Sequence, residues 1–283
     1  MSELSIHGCC NGLIFYTSRG FVFLWNPTIK KLKALPSRIH YGDAYGFWFD
    51  KRVNDYMVAK IYGEFCDVYS LSTNSWRNVS AEVPDHIIGE VAYVDGTLHW
   101  LANNRSGWMI CSLNIESGML RKTMITERWY KFFNLEPLGE HSFAVVESTN
   151  DARRCCKVQV YDENVNNLYT VDLEKETQHK LHYTAGLRNN GEALFTKFDL
   201  ADSGIISWNT KTKDIKEFIP GVTVTEALDG SHPLANHMLS RARPFVETLV
   251  LLNDGYKESD HSTYKQVIWF IIICLVFLGI VLL

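Results

Sequence analysis

His179 and His182 form a His-x-x-His pair that could supply two ligands to a metal ion. A structural zinc ion is held by four ligands, and cysteines or carboxylates would have to complete the set. No cysteine or carboxylate cluster lies near this pair at a standard spacing. We therefore predict no metal site, and no cofactor of another kind.

The sequence also lacks the short motifs in which catalytic side chains usually stand. We find no G-x-S-x-G, no phosphate-binding G-x-x-x-x-G-K-[ST], no G-x-G-x-x-G after a strand and no H-E-x-x-H. His99 precedes Trp100 in a strand-like run, where we expect a hydrogen-bonded structural histidine. These observations predict no catalytic residues and a protein that is not an enzyme.

Two long segments between strand-like runs are better candidates for binding a partner protein, because loops on a rigid scaffold carry recognition. Residues 126–141 are rich in aromatic side chains, which are suited to anchor an interface. Residues 220–244 form a connection that is long for a compact domain. An ordinary strand or a flap over the domain remains the alternative for each segment. The candidate partner-binding residues are Arg128, Trp129, Tyr130, Phe132, Phe133, His232, His237, Arg241 and Arg243.

The elements that would position these segments are strands throughout. Short runs of β-branched and aromatic residues alternate with Gly, Asn, Asp and Ser, and no long helical stripe precedes Gln266. Asp95-Gly96 joins two such runs and predicts a hairpin with a type I′ turn. Residues 91–94, 97–101, 109–114 and 119–124 then form four successive strands.

Five segments repeat one pattern, in which a hydrophobic strand ends at a polar residue, a short polar turn follows, and an apolar residue comes six positions later. The turn-initiating residues lie 44, 44, 48 and 47 residues apart. A period of this size with strands alone is typical of one four-stranded propeller blade. The sequence therefore predicts an all-β propeller of five to six blades, which residues 245–252 close; a β-sandwich is the alternative. The turn-initiating residues are Asn26, Ser70, Asn114, Asp162 and Asn209.

Six motifs in the first hundred residues resemble the propeller-type F-box-associated domain of plant F-box proteins. Matching becomes looser over residues 115–243 and returns at residues 245–250. The resemblance implies a propeller that recognises partner proteins. The matching segments are residues 8–14 (GCCNGLI), 24–28 with 35–36 (LWNPT and LP), 45–50 (YGFWFD), 54–59 (NDYMVA), 68–77 (VYSLSTNSWR) and 94–101 (VDGTLHWL).

Family members usually carry an F-box of about 45 residues that docks onto a cullin-type ubiquitin ligase. Only residues 1–7 precede the first motif, so we expect no F-box here and no direct binding to the cullin adaptor. The favoured function is non-enzymatic protein recognition. One alternative is the substrate-recognition subunit of a cullin-type (SCF) ubiquitin ligase whose F-box is missing from this chain. A second is a propeller hydrolase or lyase.

Residues 267–283 read VIWFIIICLVFLGIVLL, without a charge. As a helix they would span roughly 26 Å, close to the hydrocarbon thickness of a bilayer. We predict a single-pass C-terminal transmembrane anchor with the preceding domain in the cytosol; a buried core segment or an artefact of the gene model are the alternatives. The expected organisation is a propeller over residues 1–253, a polar linker over 254–266 and the anchor over 267–283.

The composition of the chain excludes further classes of function. The chain has 283 residues, 28 Lys+Arg against 32 Asp+Glu and a net charge of −4. Nucleic-acid binding usually depends on clustered positive charge, so we predict no nucleic-acid partner. Seven cysteines without a C-x-x-C pair, and no secretory signal sequence, favour a reducing compartment.

Overall fold

A computed structural model describes most of the chain up to Phe218. The described residues are 5–18, 21–38, 44–80, 87–104, 107–126, 132–138, 141–148, 155–172, 181–187, 192–197, 204–209, 212 and 214–218.

These residues form strands that assemble into five four-stranded antiparallel sheets, and each sheet follows the order of the chain. We call the sheets blades one to five. Blade one contains β1 to β4, which are Ser5–Cys10, Leu13–Ser18, Phe21–Asn26 and Lys31–Arg38. Blade two contains β5 to β8, which are Ala44–Asp50, Asp55–Tyr62, Phe65–Ser70 and Ser75–Ser80. Blade three contains β9 to β12, which are Ile87–Val94, Thr97–Asn104, Gly107–Asn114 and Leu120–Thr126.

The last two described blades repeat this arrangement. Blade four contains β13 to β16, which are Phe132–Leu138, Ser142–Ser148, Cys155–Tyr161 and Asn167–Asp172. Blade five contains β17 to β20, which are Leu181–Leu187, Glu192–Lys197, Gly204–Asn209 and Ile215–Phe218.

The first strand of each blade contacts the first strand of the next, from β1 through β5, β9 and β13 to β17. This succession is the arrangement of a propeller, in which the first strands lie closest to the axis. The predicted all-β propeller is therefore confirmed, and two face-packed sheets do not describe these residues. Residues 245–252, predicted to close the ring, lie outside the described part of the chain.

The apolar core lies between the blades. Phe15 and Leu24 of blade one pack in one cluster with Val58 of blade two, and the next interfaces repeat this arrangement. Trp208 of blade five is fully buried against Val146 of blade four. Blade two lies between blades one and three, so both of its faces are covered, and β6 is buried along nearly its whole length instead of alternating.

The five predicted turn-initiating residues stand at the end of the third strand of each blade, as expected. Each side chain accepts a hydrogen bond from a backbone N–H of the turn that follows, which fixes the tight turn. The donor nitrogens belong to Thr28 for Asn26 (3.0 Å), Thr73 for Ser70 (3.2 Å), Ser117 for Asn114 (2.9 Å), Asn166 for Asp162 (2.8 Å) and Thr212 for Asn209 (3.1 Å).

Antiparallel order places the turns after the first and third strands of every blade at one end of the propeller, which we call the turn face. The links between blades and the turns after the second strands lie at the opposite end. The described ranges contain no helix that is long and apolar enough to cross a membrane. The proposed anchor, residues 267–283, lies outside these ranges.

Candidate recognition surface

Most of the residues predicted to bind a partner lie outside the described part of the chain. This applies to Arg128, Trp129, Tyr130, His232, His237, Arg241 and Arg243. Phe132 begins β13, and its side chain is not described. The structure buries Phe133, which is 6% exposed and packs edge-on against Trp108 at a ring distance of 5.3 Å. Phe133 thus belongs to the apolar layer between blades three and four and is not accessible to a partner there.

A polar cluster on the turn face begins at the first turn of blade two. Asp50 ends β5, and its Oδ1 accepts hydrogen bonds from the backbone N–H of Arg52 at 2.9 Å and from Arg52 Nε at 3.1 Å. Arg52 Nη2 donates to Asp50 Oδ2 at 2.8 Å. The pairing is bidentate, which is the geometry in which Arg and carboxylate bind most strongly. The Asp50 side chain is buried, whereas that of Arg52 is 49% exposed.

Tyr93 of β9 joins this pair from the neighbouring blade. Its hydroxyl donates to Asp50 Oδ2 at 3.1 Å and accepts from Arg52 Nη2 at 3.0 Å. The Tyr93 ring stacks on Trp48 with centroids 4.6 Å apart and planes 14° apart. The phenol and the guanidinium therefore fix each other across the interface between blades two and three.

Glu116 provides the outermost contact, from the turn between β11 and β12. Its Oε1 accepts from Arg52 Nη1 at 2.8 Å, and the Glu116 side chain is 73% exposed. The backbone of this turn is anchored because Glu116 N donates to Asn114 Oδ1 at 3.1 Å. Exposed ion pairs of this kind contribute about 0–1 kcal/mol, so this contact is far easier to replace than the one with Asp50.

Gly96 has no side chain, and Arg52 occupies the space that a side chain there would fill. Its φ is +89°, which only glycine adopts without strain, and an added Cβ would lie 3.2 Å from Arg52 Nη1. On the other side of Gly96, Asp95 Oδ2 lies 2.8 Å from His141 Nδ1 of blade four. Contacts on the turn face thus connect blades two, three and four.

The protonation states of the cluster follow from these contacts. The hydrogen bond from Arg52 lowers the pKa of Asp50, although burial opposes this. Hydrogen bonding to Asp50 raises the pKa of Arg52. Burial, helped by the Asp50 charge, raises the pKa of Tyr93 to about 12. At neutral pH, Asp50 and Arg52 are therefore charged and Tyr93 keeps its proton.

Two apolar side chains are exposed on the same two turns. Val53 follows Arg52 and is 62% exposed, and Met119, in the turn that carries Glu116, is 67% exposed. We call Arg52, Val53, Tyr93, Glu116 and Met119 the Arg52 surface. Arginine and tyrosine are enriched in protein-binding hot spots, and here they lie at turns that also expose two apolar side chains.

Other polar side chains that could have formed a functional site stabilise the fold instead. His99 is fully buried, its Nδ1 lies 2.9 Å from Ser112 Oγ, and its ring stacks on Phe143 at 4.4 Å. The expected structural role of His99 is therefore confirmed. Within the described ranges, no three His, Cys, Asp or Glu side chains come together in a way that could hold a metal ion. His179 lies outside these ranges.

The family model of the F-box associated beta propeller domain matches residues 2–149. All of the Arg52 surface falls within this range. The chain is also 24% identical over 206 residues to an F-box protein of Arabidopsis thaliana, covering 67% of this chain and 52% of that protein. An F-box/kelch-repeat protein of the same plant is 29% identical over 127 residues, covering 38% and 35%. The chain thus spans about half the length of these curated relatives, or less.

Several solved structures resemble the chain at low sequence identity. A TolB from Agrobacterium tumefaciens gives a TM-score of 0.51 at 8% identity, covering 76% of this chain and 80% of that one. A chain of a nidogen/laminin complex gives 0.51 at 10%, with the same coverage. An oligogalacturonate lyase from Vibrio parahaemolyticus gives 0.50 at 12%, covering 76% and 66%. At such identities the likeness shows the fold alone.

Proposed function

The chain belongs to the F-box-associated β-propeller family, and on that premise we propose that it is a non-enzymatic recognition protein that binds a partner protein through its turn face. The family and its plant F-box relatives support a role in protein interaction. The likeness to a lyase does not extend beyond the fold and supports no shared chemistry.

The observation that carries the proposed site is the fixed position of Arg52. Three of its N–H groups are held by Asp50 and Tyr93, so the side chain is already ordered before a partner arrives. Ordering a long side chain on binding costs about 0.5–1.5 kcal/mol, and this cost is largely removed here. The half-exposed guanidinium and the exposed Val53 and Met119 then present polar and apolar contacts together.

Affinity purification of the full chain from its native cells tests this site. We expect Arg52→Gln to lose partner proteins that the wild type captures, as measured by quantitative mass spectrometry. Arg121→Gln is the matched control, because Arg121 is exposed on β12, outside the Arg52 surface. Equal capture by the wild type and Arg52→Gln, with both variants folded, would show that binding uses another surface.

A second candidate function is substrate recognition for an SCF ubiquitin ligase. The names of the curated relatives favour it, since they are F-box proteins. A captured partner that is ubiquitylated and degraded faster when the chain is overexpressed would support the ligase role. If the lifetime of the partner does not change, the chain binds the partner without directing its degradation.

Tethering to a membrane through residues 267–283 is a further proposal, supported by the uncharged apolar composition of this segment. It would restrict partners to the surface of one membrane.

A further inference from the structure

The two ends of the Arg52 guanidinium have different partners. Nε and Nη2 donate inward, to the buried Asp50 and to Tyr93. Nη1 points outward and donates to Glu116 alone among the described residues. An arginine side chain carries five N–H groups, two of them on Nη1. The inner end is thus fixed by the fold, while the outer end is held by one exposed carboxylate.

Replacing Glu116 at Nη1 would cost the fold little. Its side chain is 73% exposed, and the turn around it is held by other contacts. Asn114 Oδ1 accepts from Ser117 N at 2.9 Å, and Gly118 N donates to Asn114 O at 2.9 Å. The backbone can therefore keep its shape when the Glu116 carboxylate moves away.

A second arginine lies beside the same turn. Arg77 of β8 is exposed and donates from Nη1 to Ile115 O at 3.4 Å. Two guanidinium groups therefore flank one turn that carries a single carboxylate. Asp50 balances the charge of Arg52, so once Glu116 moves away a net positive charge remains from Arg77, and it favours an acidic ligand.

We infer that Arg52 Nη1 binds a carboxylate of an acidic segment of the partner protein, and that Glu116 occupies this position in the free chain. Val53 and Met119 are exposed on the same two turns, so the recognised segment combines acidic with apolar residues. This inference rests on the proposed function and adds the chemistry of the partner. Glu116 then acts as a competitor that weakens binding to non-matching surfaces.

The test is fluorescence anisotropy of the full chain with a labelled peptide of alternating Asp, Leu and Glu. An otherwise identical peptide with Asn and Gln in place of the acids is the control ligand. We expect Glu116→Gln to bind the acidic peptide about twofold to fivefold more tightly than the wild type, which is the range for removing an exposed ion pair. Arg52→Gln should lose binding, Arg52→Lys should retain part of it, and Arg121→Gln should match the wild type.

Several outcomes would overturn the inference. Unchanged or weaker binding by Glu116→Gln would show that Glu116 does not compete. Equal binding of the amide peptide would show that carboxylates are not recognised, and preference for a peptide with phosphoserine in place of Asp would point to a different ligand. Circular dichroism melting excludes loss of the fold as the cause. If native partners depend on Arg52 but the acidic peptide does not bind, the proposed function stands and this inference fails.

Discussion

The ring of His99 is held between blades three and four in its neutral form. Burial lowers the pKa of His99 to about 3, and the nearby Asp162 opposes this only in part. An unfolded histidine titrates near 6.5. Between these values the unfolded chain binds a proton at this residue that the folded chain does not, so stability falls as the pH decreases.

We therefore expect the free energy of unfolding to lose about 2 kcal/mol through His99 alone between pH 7 and pH 5. Chemical denaturation of the wild type and His99→Gln across this range measures it. The variant is less stable at pH 7 because the contacts with Ser112 and Phe143 are lost, but its pH dependence is flatter. Parallel curves for wild type and His99→Gln would contradict the prediction.

Single residues differ in how far the sequence reveals their role. Asn26 and Asn114 were found from the sequence because their hydrogen-bond partners lie two or three residues away. Arg52 was missed because its partners Tyr93 and Glu116 lie 41 and 64 residues away along the chain. The sequence shows only a basic side chain in the turn directly after Asp50. Its role becomes visible when blades two and three pack together.

At the scale of the strands, β5 approaches β9 of the next blade closely at Gly46. A Cβ atom added to Gly46 would lie 3.0 Å from Val91 Cβ and 3.1 Å from the backbone oxygen of Val91. A backbone atom cannot relieve this clash by rotating away, as the end of a long side chain could. The two inner strands would therefore have to separate. The glycine in the YGFWFD motif is thus explained by the spacing between blades two and three.

We expect Gly46→Ala to lower the free energy of unfolding by about 1–3 kcal/mol, the usual cost of overpacking. Urea denaturation followed by tryptophan fluorescence measures the loss. Gly63→Asn is the matched control, since no atom lies within 4 Å of an added Cβ there and asparagine tolerates its φ of +52°. Equal stability of Gly46→Ala and wild type would show that the inner strands can shift at no cost.

The strands of blade three were predicted well, and the outer ends of β9 and β10 extend further than predicted. The predicted strand 97–101 is observed as Thr97–Asn104, and 91–94 as Ile87–Val94. The Asp95-Gly96 turn fixed the inner ends of both strands from local sequence, and both residues have the expected positive φ, +44° and +89°. The outer ends depend on pairing between β9 and β10 and carry no comparable turn signal.

For the whole molecule, the repeat was sufficient to predict the architecture. Each period supplies one sheet that is too small to bury its own apolar faces, so neighbouring blades must cover them. Trp100 and Trp208 illustrate this, because both are fully buried in layers shared by two blades. The recognition surface could not be predicted in the same way, since a period specifies which elements recur and not which side chains meet between them.

The attachment of the propeller to a membrane is a property of the whole molecule that residues 267–283 predict. A fluorescent protein fused to the N-terminus should mark an intracellular membrane and remain in the pellet after carbonate extraction. Replacing Ile272 and Leu275 with lysine should release the fusion, because each charge near the middle of a bilayer costs about 2.5–3.5 kcal/mol on the insertion scale. Lysine at the exposed Thr212, in a turn of blade five, is the control and should leave the fusion in the pellet. A wild-type fusion that stays in the soluble fraction would contradict the anchor and indicate that the apolar segment packs within the domain.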